Sequence, residues 1–282
     1  MTAHPAPTRS RLPFWACVPL ACLLMFAPYL GAAPVALIEP FLPKNPSQEV
    51  SSAVNILVSC LILAAALLIF GWVARRTLGR RLAEIGLRIS RDAWWLFGLG
   101  WLLSSVALVG SQLLVGGLDL PHRQFQDVEG AGLAGSALAM VVLMKVFQAV
   151  AMQGIPEELL WRGWLMHCLA ARPRAALAVS ALTFGAMHWI SRGGQQGPGE
   201  QFVYCLQAAG FAFLAGALAL RLKSLWCAIG VHAGLHLTNL ALAFTPLLYD
   251  GPTVWALQAA LYTALGLALL AAWKGSRVEY TR

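Results

Sequence analysis

The segment Leu133–Ala171, LAGSALAMVVLMKVFQAVAMQGIPEELLWRGWLMHCLAA, is apolar along most of its length but contains one charged stretch, PEELLWRG. A hydrocarbon core about 30 Å thick is crossed by about 20 helical residues, so the segment is longer than a single membrane crossing requires. Ionisable side chains inside a membrane cost several kcal/mol and are functional candidates by default. The segment therefore predicts a membrane fold and the position of a functional site within it.

The whole chain has the composition of a membrane protein. Of its 282 residues, 59% are hydrophobic and 11% are charged, whereas roughly a quarter of the residues in soluble domains are charged. The apolar runs lack the two-residue alternation of barrel strands, so we predict an all-α, polytopic membrane helix bundle. We treat residues 1–282 as a single membrane domain with a motif-bearing core at about 133–247. About eight transmembrane helices are predicted, near Leu12–Ile38, Val54–Ala74, Ala93–Val115, Leu133–Ala171, Ala175–Ile190, Phe202–Leu220, Leu225–Leu247 and Val254–Trp273.

The distribution of Lys and Arg predicts the orientation of this bundle. Short cytoplasmic loops collect positive charge, and with both termini in the cytoplasm the outer loops hold only Lys44, Arg123 and Arg192. The net charge of +8 is then explained by orientation in the inner cell membrane and by contact with anionic lipid headgroups, so no nucleic-acid partner is expected. The predicted cytoplasmic set is Arg9, Arg11, Arg75, Arg76, Arg80, Arg81, Arg88, Arg91, Arg172, Arg174, Arg221, Lys223, Lys274, Arg277 and Arg282.

The first apolar run resembles a secretory signal because it is preceded by two arginines and ends near Gly31-Ala32-Ala33. It is longer than the usual signal core of about 7–15 residues, and further helices follow. We expect an uncleaved first span.

The charged stretch has a distinct helical geometry. Glu158 and Arg162 are four residues apart and share one helix face, so in a low dielectric they should pair. Glu157 is rotated by about 100° from that pair and is left free to act as a general base. Pro156 suits the first turn of a helix, which predicts a restart there. The crossing would then cover about Val146–Ala171, with residues 133–144 as an outer, re-entrant or kinked piece.

Three helices are expected to bring polar groups to the same depth. Glu157 precedes the turn Arg172–Arg174 by about as many residues as His188 follows it, so both should lie roughly 20 Å above that turn. On the seventh predicted helix, His232, His236 and Asn239 repeat at i, i+4 and i+7 on one face. These heights overlap, so the groups can meet in one pocket.

Two chemistries fit such a pocket. In one, neutral imidazoles hold a divalent ion such as zinc, which activates water while a glutamate takes the proton. In the other there is no metal: Glu157 and His188 polarise water, and His232 with His236 stabilises the oxyanion. Taken singly, each group has a structural explanation, since a buried Glu–Arg pair is usually a helix contact and HxxxH without the glutamate of HExxH is a poor zinc signature. Their convergence at one depth favours a functional site.

At these residues the chain resembles the CPBP family of intramembrane proteases, which includes the CAAX prenyl protease 2 type and the bacteriocin-processing, Abi-type proteins. The family motif EExxxR is met by Glu157, Glu158 and Arg162, and the motif FxxxH is met by Phe184 and His188.

The third motif, HxxxN or HxxxD, is met only at His232. His236 stands where the family has Asn or Asp, and Asn239 lies three residues further on. Either residue can fill the missing role, and the departure bears directly on catalytic competence.

The resemblance implies cleavage of a peptide bond in or near the bilayer of a peptide or membrane-associated protein substrate. It implies that Glu157 is the water-activating base, supported by Glu158 and Arg162. His188 and His232 would bind or polarise the attacking water, directly or through a divalent metal. We therefore predict an intramembrane metalloprotease or metal-free endopeptidase, a hydrolase, with a polar cavity that opens toward the cytoplasm. The alternatives are an inactive peptide-binding or immunity protein and a proton-coupled transporter.

Overall fold

The computed structural model describes residues 10–41, 43–124, 132–271, 273–275 and 277–280. We number the helices in chain order and treat the continuous segment Gly135–Cys168 as one helix. A 3-10 segment, Ala27–Leu37, extends the first helix. The helices are α1 (Phe14–Leu24), α2 (Gln48–Leu78), α3 (Ala93–Gly117), α4 (Gly135–Cys168), α5 (Pro173–Met187), α6 (Pro198–Leu222), α7 (Trp226–Leu242) and α8 (Pro252–Ala271).

The fold is an all-α polytopic membrane bundle, as predicted. Each of the eight predicted apolar segments contains a helix, and six of them are long and apolar enough to cross a bilayer. The remaining two, α5 and α7, are shorter at 15 and 17 residues. The number of crossings and the placement of both termini in the cytoplasm remain predictions.

Helix α4 does not restart at Pro156, so that prediction was wrong. The helix runs without interruption from Gly135 to Cys168, and two of its stretches, Gln148–Gly154 and Leu159–Leu165, are π-helical. A proline inside an α-helix clashes with the carbonyl four residues earlier, and the wider π turn that leads into Pro156 accommodates the ring without a break. The expected separate outer piece at residues 133–144 is therefore the first part of one long helix.

Helix α7 is held against α3 by two glycines. A Cβ atom added at Gly100 would collide with the carbonyl oxygen of Cys227, and one added at Gly230 would collide with the carbonyl oxygen of Phe97. Close approach of two backbones requires small residues at the contact, as is common between membrane helices. This contact fixes the height of α7.

Helix α6 lies at the centre of the bundle and packs on α5 and α8. At its contact with α5, a Cβ on Gly185 would lie 2.7 Å from the carbonyl oxygen of Cys205. The polar groups of α5 and α7 are thus placed by glycine contacts one turn or less from the residues that carry them.

At one end of the bundle, which we call the basic end, the loops 79–92, 169–172 and 223–225 meet the tail residues 273–275 and 277–280. The backbone N–H of Leu225 donates to the carbonyl of Gly86 at 3.2 Å, and the N–H of Val278 donates to that of Ala170 at 3.1 Å. Twelve of the predicted cytoplasmic Lys and Arg residues lie in these loops or in the adjoining helix ends. Arg9 and Arg282 lie outside the described residues.

The other end, which we call the strand end, consists of the loops 118–124, 191–197 and 243–251. A two-residue strand, β1 (Arg123–Gln124), pairs antiparallel with β2 (Tyr249–Asp250). Arg123 also donates both to Oε1 of Glu200 at 3.0 Å and to Oε2 at 2.9 Å. These contacts tie two of the loops to each other and to the start of α6.

Candidate functional site

Glu158 and Arg162 form a fully buried ion pair. The Arg162 Nη1 donates to Glu158 Oε1 at 2.9 Å, and both side chains have no exposed surface. The predicted pairing of these residues along one helix face is confirmed. Because the guanidinium is always charged, the carboxylate beside it is held in its ionised form.

The same carboxylate oxygen also receives His232 from helix α7. The ring Nδ1 of His232 lies 2.9 Å from Glu158 Oε1, and a carboxylate between Arg and His can only accept. Nδ1 therefore carries the proton, and the Nε2 of the neutral ring has a free lone pair. That Nε2 lies 4.0 Å from Oε2 of Glu157.

His188 has the same tautomer for a similar reason. Its Nδ1 lies 2.8 Å from the carbonyl oxygen of Phe184, which can only accept, so Nε2 again has the free lone pair. The amide of Gln201 donates to the carbonyl of His188 at 2.8 Å and holds this end of the helix. His188 is thus held both at its ring Nδ1 and at its backbone carbonyl, and these two contacts orient the imidazole.

Phe184 is the packing centre of the site. The guanidinium carbon of Arg162 lies 4.7 Å from the centre of its ring, and the rings of His188 and His232 lie 4.5 and 6.2 Å away. A cation over an aromatic face is attracted by the ring quadrupole, and the attraction is larger when the pair is desolvated. Phe184 therefore links all three motifs through direct contacts.

A polar cavity of about 740 Å³ opens beside these groups. His188, His232, His236 and Asn239 line it, so the predicted stripe on α7 does face one space. The rings of His232 and His236 are stacked with centres 5.5 Å apart. Lys145 of α4 lines the same cavity.

Glu157 lies beside His232 but is not among the residues that line the 740 Å³ cavity. It lines a separate small pocket of about 10 Å³ next to Tyr29, a volume close to the minimum for one water molecule. Its side chain is 16% exposed, while that of His232 is 5% exposed. The carboxylate therefore borders a space of water size on one side and an imidazole on the other.

The cavity wall is rich in side-chain amides. The two polar atoms of Gln112 bond the backbone N–H and carbonyl of Tyr249 at 2.9 and 3.1 Å, and Gln207 donates to Gln258 at 2.9 Å. The π stretch of α4 brings two further amides to the wall, because residues five apart come into line in a π turn. The lining glutamines are Gln112, Gln148, Gln153, Gln207 and Gln258.

The histidines of the site have the hydrogen bonds typical of metal ligands, but a third protein ligand is missing among the described residues. The free Nε2 atoms of His188 and His232, each with Nδ1 bonded to a carbonyl or carboxylate, have the outer-shell arrangement that metal-binding histidines use. A catalytic zinc needs three protein ligands. Within the described ranges, no group of three His, Cys, Asp or Glu side chains is spaced to hold an ion. The arrangement does not amount to a complete metal site.

Three contributors were missed at the sequence level. Phe184 was noted only as a motif position, and Gln201 and Tyr280 were not noted at all. The Tyr280 hydroxyl donates to the carbonyl of Arg162 at 2.9 Å, from 118 residues away. No sequence spacing indicates such contacts. His167 of α4 bonds the carbonyl of Gly163 at 2.6 Å and packs on Tyr280.

Residues 139–238 match a family model described as type II CAAX prenyl endopeptidase Rce1-like. The resemblance to the CPBP family is confirmed. The matched region contains all three motifs as far as His236 and ends one residue before Asn239. No curated protein matches the chain. The CPBP match indicates an enzyme of the CAAX protease type in a multi-pass membrane protein.

The position of the cavity bears on two predictions made from the sequence. Its lining includes Gly193, Tyr249 and Asp250, which belong to the strand end of the bundle. The predicted opening toward the cytoplasm therefore cannot hold together with the predicted cytoplasmic location of both termini, because that orientation puts the strand end outside.

Proposed function

We propose that this chain is an intramembrane endopeptidase in which Glu157 activates a water molecule for attack on a peptide bond. The observation that carries the proposal is the 4.0 Å separation between Glu157 Oε2 and His232 Nε2. This distance is too long for a direct hydrogen bond and suits a single water between the two atoms. Such a water donates one hydrogen to the carboxylate and the other to the imidazole lone pair.

Hydrolysis then follows from the positions of these groups. As the water oxygen bonds to the peptide carbonyl carbon, Glu157 takes its proton and later gives it to the leaving amine when the C–N bond breaks. His188 also has a free Nε2 lone pair and can accept the second hydrogen of the water in place of His232. The products are a new carboxyl terminus and a new amino terminus, and Glu157 returns to its starting state.

Glu158 and Arg162 act as positioning residues. Their ion pair fixes Glu158 Oε1, which in turn holds His232 in the tautomer that leaves Nε2 unprotonated. Without that contact the imidazole can turn or change tautomer and no longer accept from water.

His236 is the candidate donor to the oxyanion that forms on the carbonyl oxygen. It lines the cavity and stacks on His232, at the position where the CPBP motif has Asn or Asp. An imidazole N–H and an asparagine amide N–H can both donate to an oxyanion. Amides along the wall, such as those of Gln148 and Gln153, can bind the donors and acceptors of a peptide main chain.

A divalent metal, with zinc as the first candidate, is an alternative way to activate the water, and His188 and His232 would be its ligands. It would supply a more acidic bound water. Because a third protein donor is lacking among the described residues, the steps above are assigned to protein side chains alone.

Anionic lipid headgroups are proposed as partners at the basic end. Arg172, Arg174 and Lys274 line a second cavity there of about 450 Å³. Basic pockets at the membrane surface bind such headgroups.

The proposal is tested by N-terminal proteomics of cells that produce either the intact protein or its Glu157→Gln variant at equal membrane levels. We expect a set of new protein amino termini that depends on the intact protein and disappears with Glu157→Gln. If no termini depend on the intact protein, the endopeptidase assignment is wrong and a peptide-binding role takes its place. If the variant produces the same termini as the intact protein, Glu157 is not the base.

A further inference from the structure

The 740 Å³ cavity extends to the strand end of the bundle. Gly193 comes from the loop 191–197, Tyr249 and Asp250 come from β2, and Trp255 comes from the start of α8. No residue of the basic-end loops is among its lining within the described part of the chain. The site is therefore reached from one end of the bundle.

The opposite route is filled by packed side chains. Arg162 and Trp164 of α4 are fully buried, and Leu225 at the start of α7 is fully buried as well. Tyr280 of the C-terminal tail is 7% exposed and bonds the carbonyl of Arg162. Tyr280 also lies against Gly86, where an added Cβ would collide with its ring. The basic end is thus closed beneath the ion pair.

The two ends differ strongly in charge. Of 20 Lys and Arg residues in the chain, 15 belong to the predicted cytoplasmic set, and the segments on the other side hold only Lys44, Arg123 and Arg192. Those outer segments carry seven of the 12 acidic residues, including Glu200 and Asp250 at the strand end. The positive-inside rule assigns the basic end to the cytoplasm.

We propose that the site receives its substrate from the extracytoplasmic side of the membrane, as an extended peptide segment of an exported or membrane-anchored protein. That the bound segment is a substrate rests on the proposed function, whereas the side of the membrane toward which the cavity opens does not. A protein processed here must first cross or enter the membrane, so the reaction follows export or insertion.

The depth of the site requires an extended segment. His232 lies ten residues from the strand-end terminus of α7 at Leu242, which is roughly 15 Å along the helix. An extended chain covers about 3.3–3.6 Å per residue, so four or five residues must enter before a peptide bond reaches the imidazole. A folded domain cannot place its backbone at that depth, whereas a loop, tail or juxtamembrane segment can.

Thiol labelling of intact cells tests the side of the membrane toward which the cavity opens. Gln196→Cys introduces a thiol at an exposed position of the loop 191–197, and Arg174→Cys introduces a matched thiol at an exposed position of the basic end. A membrane-impermeant maleimide is added to bacterial cells with a permeable outer envelope, and labelling is measured above that of the parent protein, which carries six native cysteines. We expect Gln196→Cys to be labelled in intact cells and Arg174→Cys only after the membrane is disrupted. The reverse pattern overturns the proposal.

A second labelling experiment tests whether the strand end is the substrate's route. Ala243→Cys places a thiol on the half-buried cavity wall. The same variant is assayed by N-terminal proteomics before and after the impermeant reagent is added to intact cells. We expect at least a tenfold loss of the dependent cleavages on labelling, and unchanged cleavage by a labelled protein overturns the route. If no cleavage depends on the intact protein while Gln196→Cys is labelled from outside, the endopeptidase assignment fails and the side of the opening stands.

Discussion

His232 donates from Nδ1 to Glu158 Oε1 across 2.9 Å, although the two residues are 74 positions apart in the chain. This bond joins α7 to the charged stretch of α4 and settles the tautomer of the imidazole. It also makes Glu158 the shared acceptor of a histidine and an arginine. The functional groups of the first and third motifs therefore act as one bonded unit.

The first prediction concerns this shared carboxylate. Glu158→Ala and Arg162→Ala each leave one buried partner without its counter-charge, which costs about 3–5 kcal/mol, so each single variant should lose thermal stability in detergent. The double variant Glu158→Ala/Arg162→Ala removes both charges and should be clearly more stable than the sum of the two losses predicts. Melting curves of the four proteins give the coupling. Additive losses would contradict a buried, coupled pair.

The second prediction concerns His236, which departs from the CPBP motif. His236→Asn keeps a hydrogen-bond donor at the same place and should retain cleavage within about tenfold. His236→Leu removes the donor and should lower the rate by about 10²–10³-fold, the usual effect of losing an oxyanion donor. Asn239→Leu is the matched comparison on the same face. A large loss there with little effect at His236 would assign the motif role to Asn239.

The third prediction separates the two ways of activating water. The donor set favours water held by side chains alone, so a strong chelator should leave the cleavage rate unchanged, and the purified protein should hold well under one equivalent of divalent metal. A metal site predicts about one equivalent, lost in both His188→Ala and His232→Ala. Elemental analysis alongside the assay decides between them. Loss of activity with a chelator and its return with zinc would contradict the metal-free steps.

The fourth prediction concerns the contact that places α7. Gly100→Ala puts a methyl group against the carbonyl of Cys227, and such overpacking costs about 1–3 kcal/mol. Gly98→Ala, two residues earlier on α3, meets nothing within 4 Å and gains helix propensity. We expect a lower melting temperature and reduced cleavage for Gly100→Ala only. Equal behaviour of the two variants would show that the close approach is unimportant.

Periodicity in the sequence predicted the local parts of this site. The spacing of four residues gave the Glu158–Arg162 pair, and the i, i+4, i+7 stripe on α7 gave the common face of His232, His236 and Asn239. Both follow from helix geometry, which depends only on neighbouring residues.

The long-range parts were beyond such reasoning. The bond from His232 to Glu158 depends on the rotation of α4 and α7 about their own axes, and the packing at Gly100 and Gly230 constrains that of α7. The π stretches of α4 likewise have no signal in the apolar pattern, and Pro156 was taken as a helix start for that reason.

The end of the bundle at which the cavity opens was within reach of the sequence, yet the two predictions made from it, an opening toward the cytoplasm and both termini in the cytoplasm, exclude each other. Residues Gly193 and Asp250 lie in segments that the charge distribution already places outside. The resemblance to the CPBP family did not contain that information, since motifs fix which groups meet and leave open the end from which they are reached.

The central claim is that Glu157 is the base that takes a proton from water. The most direct measurement is the rate of cleavage by purified protein in lipid vesicles of a peptide taken from a site found by N-terminal proteomics. Glu157→Gln keeps the shape of the side chain and removes the proton acceptor, and Glu279→Gln makes the same change at an exposed position of the basic end. We predict a loss of at least about 100-fold for Glu157→Gln, with unchanged folding, and full activity for Glu279→Gln. Cleavage by Glu157→Gln at a rate close to that of the intact protein would contradict the account.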